Sequence, residues 1–314
     1  MKKSLVLSVL IALLLACSSE TKNDEKVELS SFKDKISYTL GADHARAIAN
    51  SGDKNFKKYK FDILLEGFKE GLKNEKAFDK SCKETIKNLF GENGTTFNEQ
   101  YNEEGSECIG KLSAAFFIAG WKQKQALSQI DLEKVIIGFK HGLQKNDTLI
   151  PRTEQASMIQ NFIADLNKIN GNKMLEKARS IKNVTITPSG LVLEKIIEGT
   201  GGNPSPSDDV LAHYILMNAI GDTLQDSYKM CKQYNQALTP FSLLAVVPGW
   251  QEGIPLMKAG GKYRLYLPYN LAYGEQGMFN PQTQSYDIQP FESLVFFIEL
   301  LKYGKPGCLS SLKK

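Results

Sequence analysis

The stretch VVPGWQEGIPLMKAGG, residues 246 to 261, is where the reading of the fold begins. A Pro-Gly pair is followed at once by Trp250, one of only two tryptophans in the chain. Residues 250–259 read as a short helix, with Gly260 as its C-terminal cap. Pro255 deletes one backbone hydrogen bond, which is tolerable because the helix is short and the lost bond lies near its first turn. A tryptophan at such an entrance is either core filling, the commoner fate of a large aromatic, or the floor of something that binds.

On both sides of this stretch the pattern alternates in short runs broken by Gly and Pro, as at Leu191 and Leu193 and at Leu265 and Leu267. Strands are expected at 191–198, 210–217, 223–227, 263–268 and 294–302, wrapped as an antiparallel sheet around the one short helix. Before about residue 183 the texture differs. Apolar residues recur at helical spacing, as Ile63, Leu64, Phe68 and Leu72, then Val135, Ile136, Phe139 and Leu143. The fold class expected is therefore α+β. An all-helical domain (31–182) precedes the sheet domain (183–306) and a tail (307–314), with the linker at 182–188.

The helical half contains an internal repeat. Gly67-Phe68-Lys69-Glu70-Gly71-Leu72 returns 71 positions on as Gly138-Phe139-Lys140-His141-Gly142-Leu143, and Lys35-Ile36-Ser37 returns as Lys111-Leu112-Ser113. This sets the copies at about 35–90 and 111–166. The polar, Gly/Asn/Glu-rich stretch 91–110 reads as a mobile connection, and a last helix runs over about 153–181 with Asn170-Gly171 as a candidate kink.

Lys2 and Lys3 are followed by the twelve uncharged, mostly apolar residues from Leu5 to Ala16 and then by Cys17. Twelve residues fall short of the roughly 20 that span a bilayer, so 1–16 reads as a signal peptide. Leu14-Leu15-Ala16-Cys17 resembles the lipobox of bacterial lipoproteins. That resemblance implies lipidation at Cys17, a polar tether over 17–30, and anchoring in a bacterial envelope, at the periplasmic face of the outer membrane or at the cell surface. Loss of two lysines with the signal peptide lowers the net charge from +4 to +2, and the charges are interspersed, which argues against a nucleic-acid face. Export permits disulfides. Pairing Cys82 with Cys108 and Cys231 with Cys308 keeps each bridge inside one domain. No Cys-x-x-Cys, no metal-ligand spacing among His44, His141 and His213, and no Gly-x-Ser-x-Gly is present, so neither metal nor cofactor is expected. Gly199-Thr200-Gly201-Gly202 lacks the Gly-Lys-Ser/Thr of a phosphate loop and reads as a turn.

Seven blocks carry a resemblance over 189–304. They are Ser189-Gly190-Leu191, Ala212-His213-Tyr214, Gly221-Asp222-Thr223 with Asp226-Ser227, Val246 to Trp250, Met257 to Lys262, Leu271-Ala272-Tyr273-Gly274, and Leu294-Val295-Phe296 with Glu299-Leu300-Leu301. In this order they resemble an FKBP-type peptidyl-prolyl isomerase domain. The helical half is similar to the dimerisation region of macrophage-infectivity-potentiator-like members. The resemblance implies a cis-trans isomerase that assists folding of exported proteins and binds proline-containing, unfolded polypeptides. It places Trp250 under the proline ring, with Tyr214, Phe296, Val246 and Val247 as walls. Tyr273 would offer its hydroxyl to a substrate carbonyl, the Val247 N–H would hold another, and Asp226 would orient the site electrostatically. Ile288 would close the pocket, and Phe241 would pack beneath it.

Physical chemistry makes such a pocket sufficient. An X-Pro bond exchanges slowly because the amide must lose resonance on twisting. A dry apolar site that favours the twisted form speeds this without a nucleophile or metal. The sequence also departs from the family pattern. Gln225 stands where an aromatic is usual, Thr239 replaces a second pocket aromatic, Gln289 interrupts an Ile-Pro-Pro run, and the loop 277–288 is long. Met278, Phe279 and Tyr286 are candidates to replace the missing aromatics, and 228–240 has no secure alignment. These departures support an alternative function, a chaperone or binding module with the same fold and little turnover. The duplicated helical half implies either a homodimer or a pseudo-dimer formed within one chain.

Overall fold

The computed structural model describes residues 27–94, 96–235 and 237–309. The signal peptide, Cys17 and the tether up to residue 26 lie outside the described residues. Among the described residues, six α-helices form the first half: α1 (Phe32–Ala49), α2 (Phe61–Lys73), α3 (Lys80–Phe90), α4 (Asn102–Gln123), α5 (Leu132–Leu143) and α6 (Arg152–Arg179). Helix α1 starts where Ser31 and Asp34 form a reciprocal capping box.

Glycines decide how these helices pair. An added Cβ on Gly41 would lie 2.0 Å from the Val135 carbonyl oxygen, and one on Gly138 would lie 1.9 Å from that of Tyr38, so α1 and α5 touch backbone to backbone. The same arrangement recurs between α2 and α4, where Gly110 faces the Leu64 carbonyl at 2.0 Å and Gly67 faces that of Glu107 at 2.1 Å. Ser37 accepts the Asp131 N–H at 2.8 Å, just as Ser106 accepts the Lys60 N–H at 3.0 Å. The first helix of each copy thus packs on the second helix of the other. Phe68 and Phe139, which correspond in the repeat, stack face to face where the copies meet, with centroids 3.7 Å apart and planes 7° apart.

This pairing corrects the repeat boundaries. Ser37 corresponds to Ser106 rather than Ser113, so the Lys-x-Ser match is out of step by about two helical turns. The second copy begins inside 91–110, the stretch expected to be a mobile connection. Gly105, Ser106 and Gly110 have loop-like composition, but they are the close-contact positions of α4; a Cβ on Gly105 would meet Leu89 at 2.7 Å. Helix α6 runs unbroken through the candidate kink. Gly171 instead admits Ser293 of the second domain, whose Oγ lies 2.3 Å from where a Cβ would stand.

Cys82 on α3 and Cys108 on α4 are bridged. The expected second bridge is absent, and Cys231 and Cys308 are free thiols. Cys308 follows Gly307, whose N–H donates to Asp209, whereas Cys231 lies on a helix docked over His213 and Tyr214, so containment in one domain does not bring them together. A fragment starting at residue 27 is expected to titrate two thiols when native and four once denatured and reduced. Opening the bridge, which spans 26 residues, is expected to cost about 3–4 kcal/mol on the chain-entropy relation, read as a shift in urea unfolding.

The second half contains β1 (Val184–Ile186), β2 (Val192–Ile197), β3 (Asp209–Asn218), β4 (Thr223–Asp226), α7 (Ser227–Tyr234), β5 (Phe241–Ser242), α8 (Pro248–Gly253), β6 (Gly261–Leu267), β7 (Met278–Asn280), β8 (Ser285–Ile288) and β9 (Leu294–Gly304). The main sheet is antiparallel in the order β1-β2-β6-β9-β3-β4, with β5 also paired to β3. The five expected strands are present with shifts of one or two residues. Alternation puts Leu265 and Leu267 of β6 and Leu294, Phe296, Ile298 and Leu300 of β9 into the core beneath α8. Helix α8 is shorter than expected. With no N–H on Pro255, the chain tightens into a single 3₁₀ turn, Ile254–Leu256, so Gly260 shapes the turn into β6 rather than capping a helix. The end of the third expected strand and the unaligned stretch after it form α7, nucleated by Asp226 as N-cap.

Candidate active site

The sequence around Trp250 folds locally in a way that seats the indole in the core of the sheet domain. Pro248 takes the first position of α8, where its missing N–H costs nothing. Gly249 lets Leu267 pack against the backbone, since a Cβ there would lie 2.4 Å from its side chain. Trp250 is then only 4% exposed. Its indole meets the rings of Tyr214, Phe241 and Phe296 edge to face at 5.6, 5.6 and 5.3 Å. Ile288 is buried in the same cluster, and Val246, Val247 and Tyr273 pack half-buried against it. Eight of the nine expected substrate-contacting and catalytic residues thus belong to one apolar cluster, and Tyr214, Phe241 and Phe296 meet the indole of the eighth, Trp250, directly.

Asp226 is the exception. Its carboxylate accepts the N–H groups of Tyr228 and Lys229 at 3.0 and 3.2 Å, so it is engaged in holding the start of α7. The Tyr214 hydroxyl donates instead to Gln225 Oε1 at 3.0 Å. Gln225, which the sequence shows only as a lost aromatic, pairs opposite Leu216 in the sheet, and this register puts it on the same face as Tyr214. Of the three candidates to replace the missing aromatics, Met278, a thioether side chain, packs against the cluster. Phe279 and Tyr286 pack on each other across the β7–β8 hairpin, 5.2 Å apart. Thr239 is exposed.

Two polar features bear on chemistry. Trp250 Nε1 is buried with no hydrogen-bond partner among the described residues. Burial pushes the Tyr214 and Tyr273 hydroxyls above the usual phenol range, so both remain protonated donors at neutral pH. Aromatic and aliphatic side chains beside a phenol donor are the kind of surface that can desolvate an amide and hold a carbonyl.

Known proteins place this arrangement in a family. A model of the FKBP-type peptidyl-prolyl cis-trans isomerase domain matches residues 201–301, and one of the domain amino-terminal to it matches 33–109. The chain is similar to the outer membrane protein MIP of Legionella longbeachae, with 26% identity over 97% of this chain and 99% of that one. It is also similar to a probable FKBP-type peptidyl-prolyl cis-trans isomerase, FkpA, of Neisseria meningitidis, with 36% identity over 66% of this chain and 70% of that one. The crystal structure of FkpA from Escherichia coli covers 66% of this chain and 98% of its own, at 25% identity and a TM-score of 0.42. The chain belongs to the FKBP-type peptidyl-prolyl cis-trans isomerase family. It is an enzyme of cis-trans exchange at X-Pro bonds.

Proposed function

We propose that the cluster around Trp250 is the site of that exchange, and that it acts on proline-containing segments of unfolded, exported polypeptides. The observation that carries this reading is the indole, ringed by Tyr214, Phe241 and Phe296, in a cluster against which Val246, Val247 and Tyr273 pack half-buried. The proline ring sits on the indole, and the preceding amide leaves water as it enters the site. A desolvated amide twists more readily, because the planar, charge-separated form is the one that water favours. The Tyr273 hydroxyl, which bonds to no other described residue, donates to a substrate carbonyl. Asp226 acts at one remove, through the placement of α7.

Acceleration of exchange in a proline tetrapeptide, followed by NMR exchange spectroscopy, tests this. Tyr273→Phe is expected to lower kcat/KM by about 3- to 10-fold, the worth of one hydrogen bond to the reacting group. A rate no faster than the uncatalysed one, together with suppressed aggregation of an unfolded client, would instead favour the binding-module reading.

Lipid attachment at Cys17 would hold the enzyme in the bacterial envelope; no described helix is long and apolar enough to cross a membrane. The helical domain pairs its two copies within one chain, and this supports a monomer. A soluble fragment starting at residue 27 is expected to scatter light with the mass of one chain, and a stable dimer would overturn the self-contained arrangement.

A further inference from the structure

We propose that helix α6 of the helical domain is a positioning element of the isomerase site, acting through Phe291. This rests on the assignment of Tyr273 and Ile288 to that site. Phe291 has φ +58°, a left-handed conformation that a bulky residue adopts only when its surroundings over-determine it. Three contacts do so. Its N–H donates to the Gly274 carbonyl at 3.0 Å. Its ring meets Tyr269 edge to face at 5.2 Å. The Lys168 ammonium sits over the ring, 4.0 Å from its centroid.

The two neighbours within the isomerase domain, Tyr269 and Gly274, are the ends of one turn, closed by the Gly274 N–H donating to the Tyr269 carbonyl at 2.9 Å. Tyr273 lies between them. Phe291 therefore brackets the turn that presents the donor hydroxyl, and Ile288 lies three residues upstream on the same segment. The supports from α6 fall within little more than one turn of the helix. Asn167 Nδ2 donates to the Pro290 carbonyl at 2.9 Å, Lys168 covers Phe291, and Gly171 lets Ser293 approach the helix backbone. Glu292 braces the segment internally, its buried carboxylate accepting the Gln289 N–H at 2.8 Å. With the α6 contacts removed, Phe291 relaxes out of the left-handed region and Gly274 loses its partner. Tyr273 is then no longer held, and small misplacements of a donor are costly in rate.

The test uses the full chain and an Ala-Leu-Pro-Phe tetrapeptide. Lys168→Ala and Asn167→Ala are each expected to lower kcat/KM by about 3- to 10-fold, mainly through kcat, with unchanged thermal midpoints. Lys168→Arg, which keeps a cation over the ring, is expected to retain the wild-type rate. Lys177→Ala, on the same helix but away from Phe291, is expected to change nothing. Faster amide exchange at Phe291 in Lys168→Ala supports the route through the backbone. Wild-type kcat/KM in Lys168→Ala, failure of arginine to rescue, or an equal loss in Lys177→Ala would each overturn the proposal. If Tyr273→Phe and Trp250→Leu leave the rate intact, the assignment of the pocket fails first, and the role of α6 fails with it.

Discussion

Gly138→Ala is expected to destabilise the helical domain by about 2–4 kcal/mol, read as a lower urea midpoint by circular dichroism. The sign is informative, because intrinsic helix propensity favours alanine over glycine by about 1 kcal/mol. The new methyl would stand 1.9 Å from the Tyr38 carbonyl oxygen, and the obstacle is backbone rather than a side chain that can turn away. Helices α1 and α5 must separate, and the packing around Ile36, Tyr38, Val135 and Phe139, all fully buried, is lost with them. Gly67→Ala is expected to act in the same direction, since its Cβ would meet the Glu107 carbonyl at 2.1 Å. Gly120→Ala is the control. It lies exposed in α4 with nothing within 4 Å, and alanine there is expected to stabilise by up to about 1 kcal/mol. Stabilisation by all three would mean that the two copies do not interlock as described.

The same glycines explain which parts of the fold were legible in the sequence. Strands β3, β6 and β9 declare themselves, because one face is buried and the alternation of Leu265 and Leu267, or of Leu294, Phe296 and Ile298, records it directly. The start of α4 does not, because interlocked helices need Gly105, Ser106 and Gly110 at their crossing points, and that composition is also the composition of a loop. The register of the repeat slipped for a related reason. Two turns along a helix restore nearly the same face, so a three-residue match cannot distinguish Ser106 from Ser113. Helix α7 was hidden because Ser-Tyr-Lys-Met-Cys-Lys-Gln-Tyr carries no strong apolar stripe; its start is set by the Asp226 cap.

The site divides along a similar line. Val246, Val247 and Trp250 are contiguous, and the Pro-Gly turn that presents them is visible in the sequence. Cys82 with Cys108 was reachable from domain containment. Containment could not exclude Cys231 with Cys308, because that pairing depends on where α7 docks. Gln225 and Phe291 were beyond reach for another reason. The role of the first is set by a partner across the sheet, and that of the second by a helix more than 100 residues away.

Trp250→Leu is expected to lower kcat/KM by about 10- to 100-fold, the loss of roughly 1.5–3 kcal/mol of aromatic contact with the substrate proline. Leucine preserves an apolar filler but removes the flat surface on which the proposed site would seat the proline ring. The substitution also costs stability, on the order of 2–4 kcal/mol for a large-to-small change in a packed core, because Tyr214, Phe241 and Phe296 all lose an edge-to-face partner. The rate must therefore be measured at a temperature where circular dichroism shows the variant folded. The indole N–H has no partner among the described residues, so no hydrogen-bond network collapses with the substitution, and the loss of rate reports the lost surface. Trp250→Phe, which keeps a smaller aromatic face, is expected to fall between the wild type and Trp250→Leu. A folded Trp250→Leu with wild-type kcat/KM would make the indole core filling alone and would remove the site from this part of the molecule. The graded order instead would tie catalysis to the aromatic floor at the entrance of α8, since a residue that merely fills the core changes the midpoint of unfolding without changing the rate of the folded enzyme.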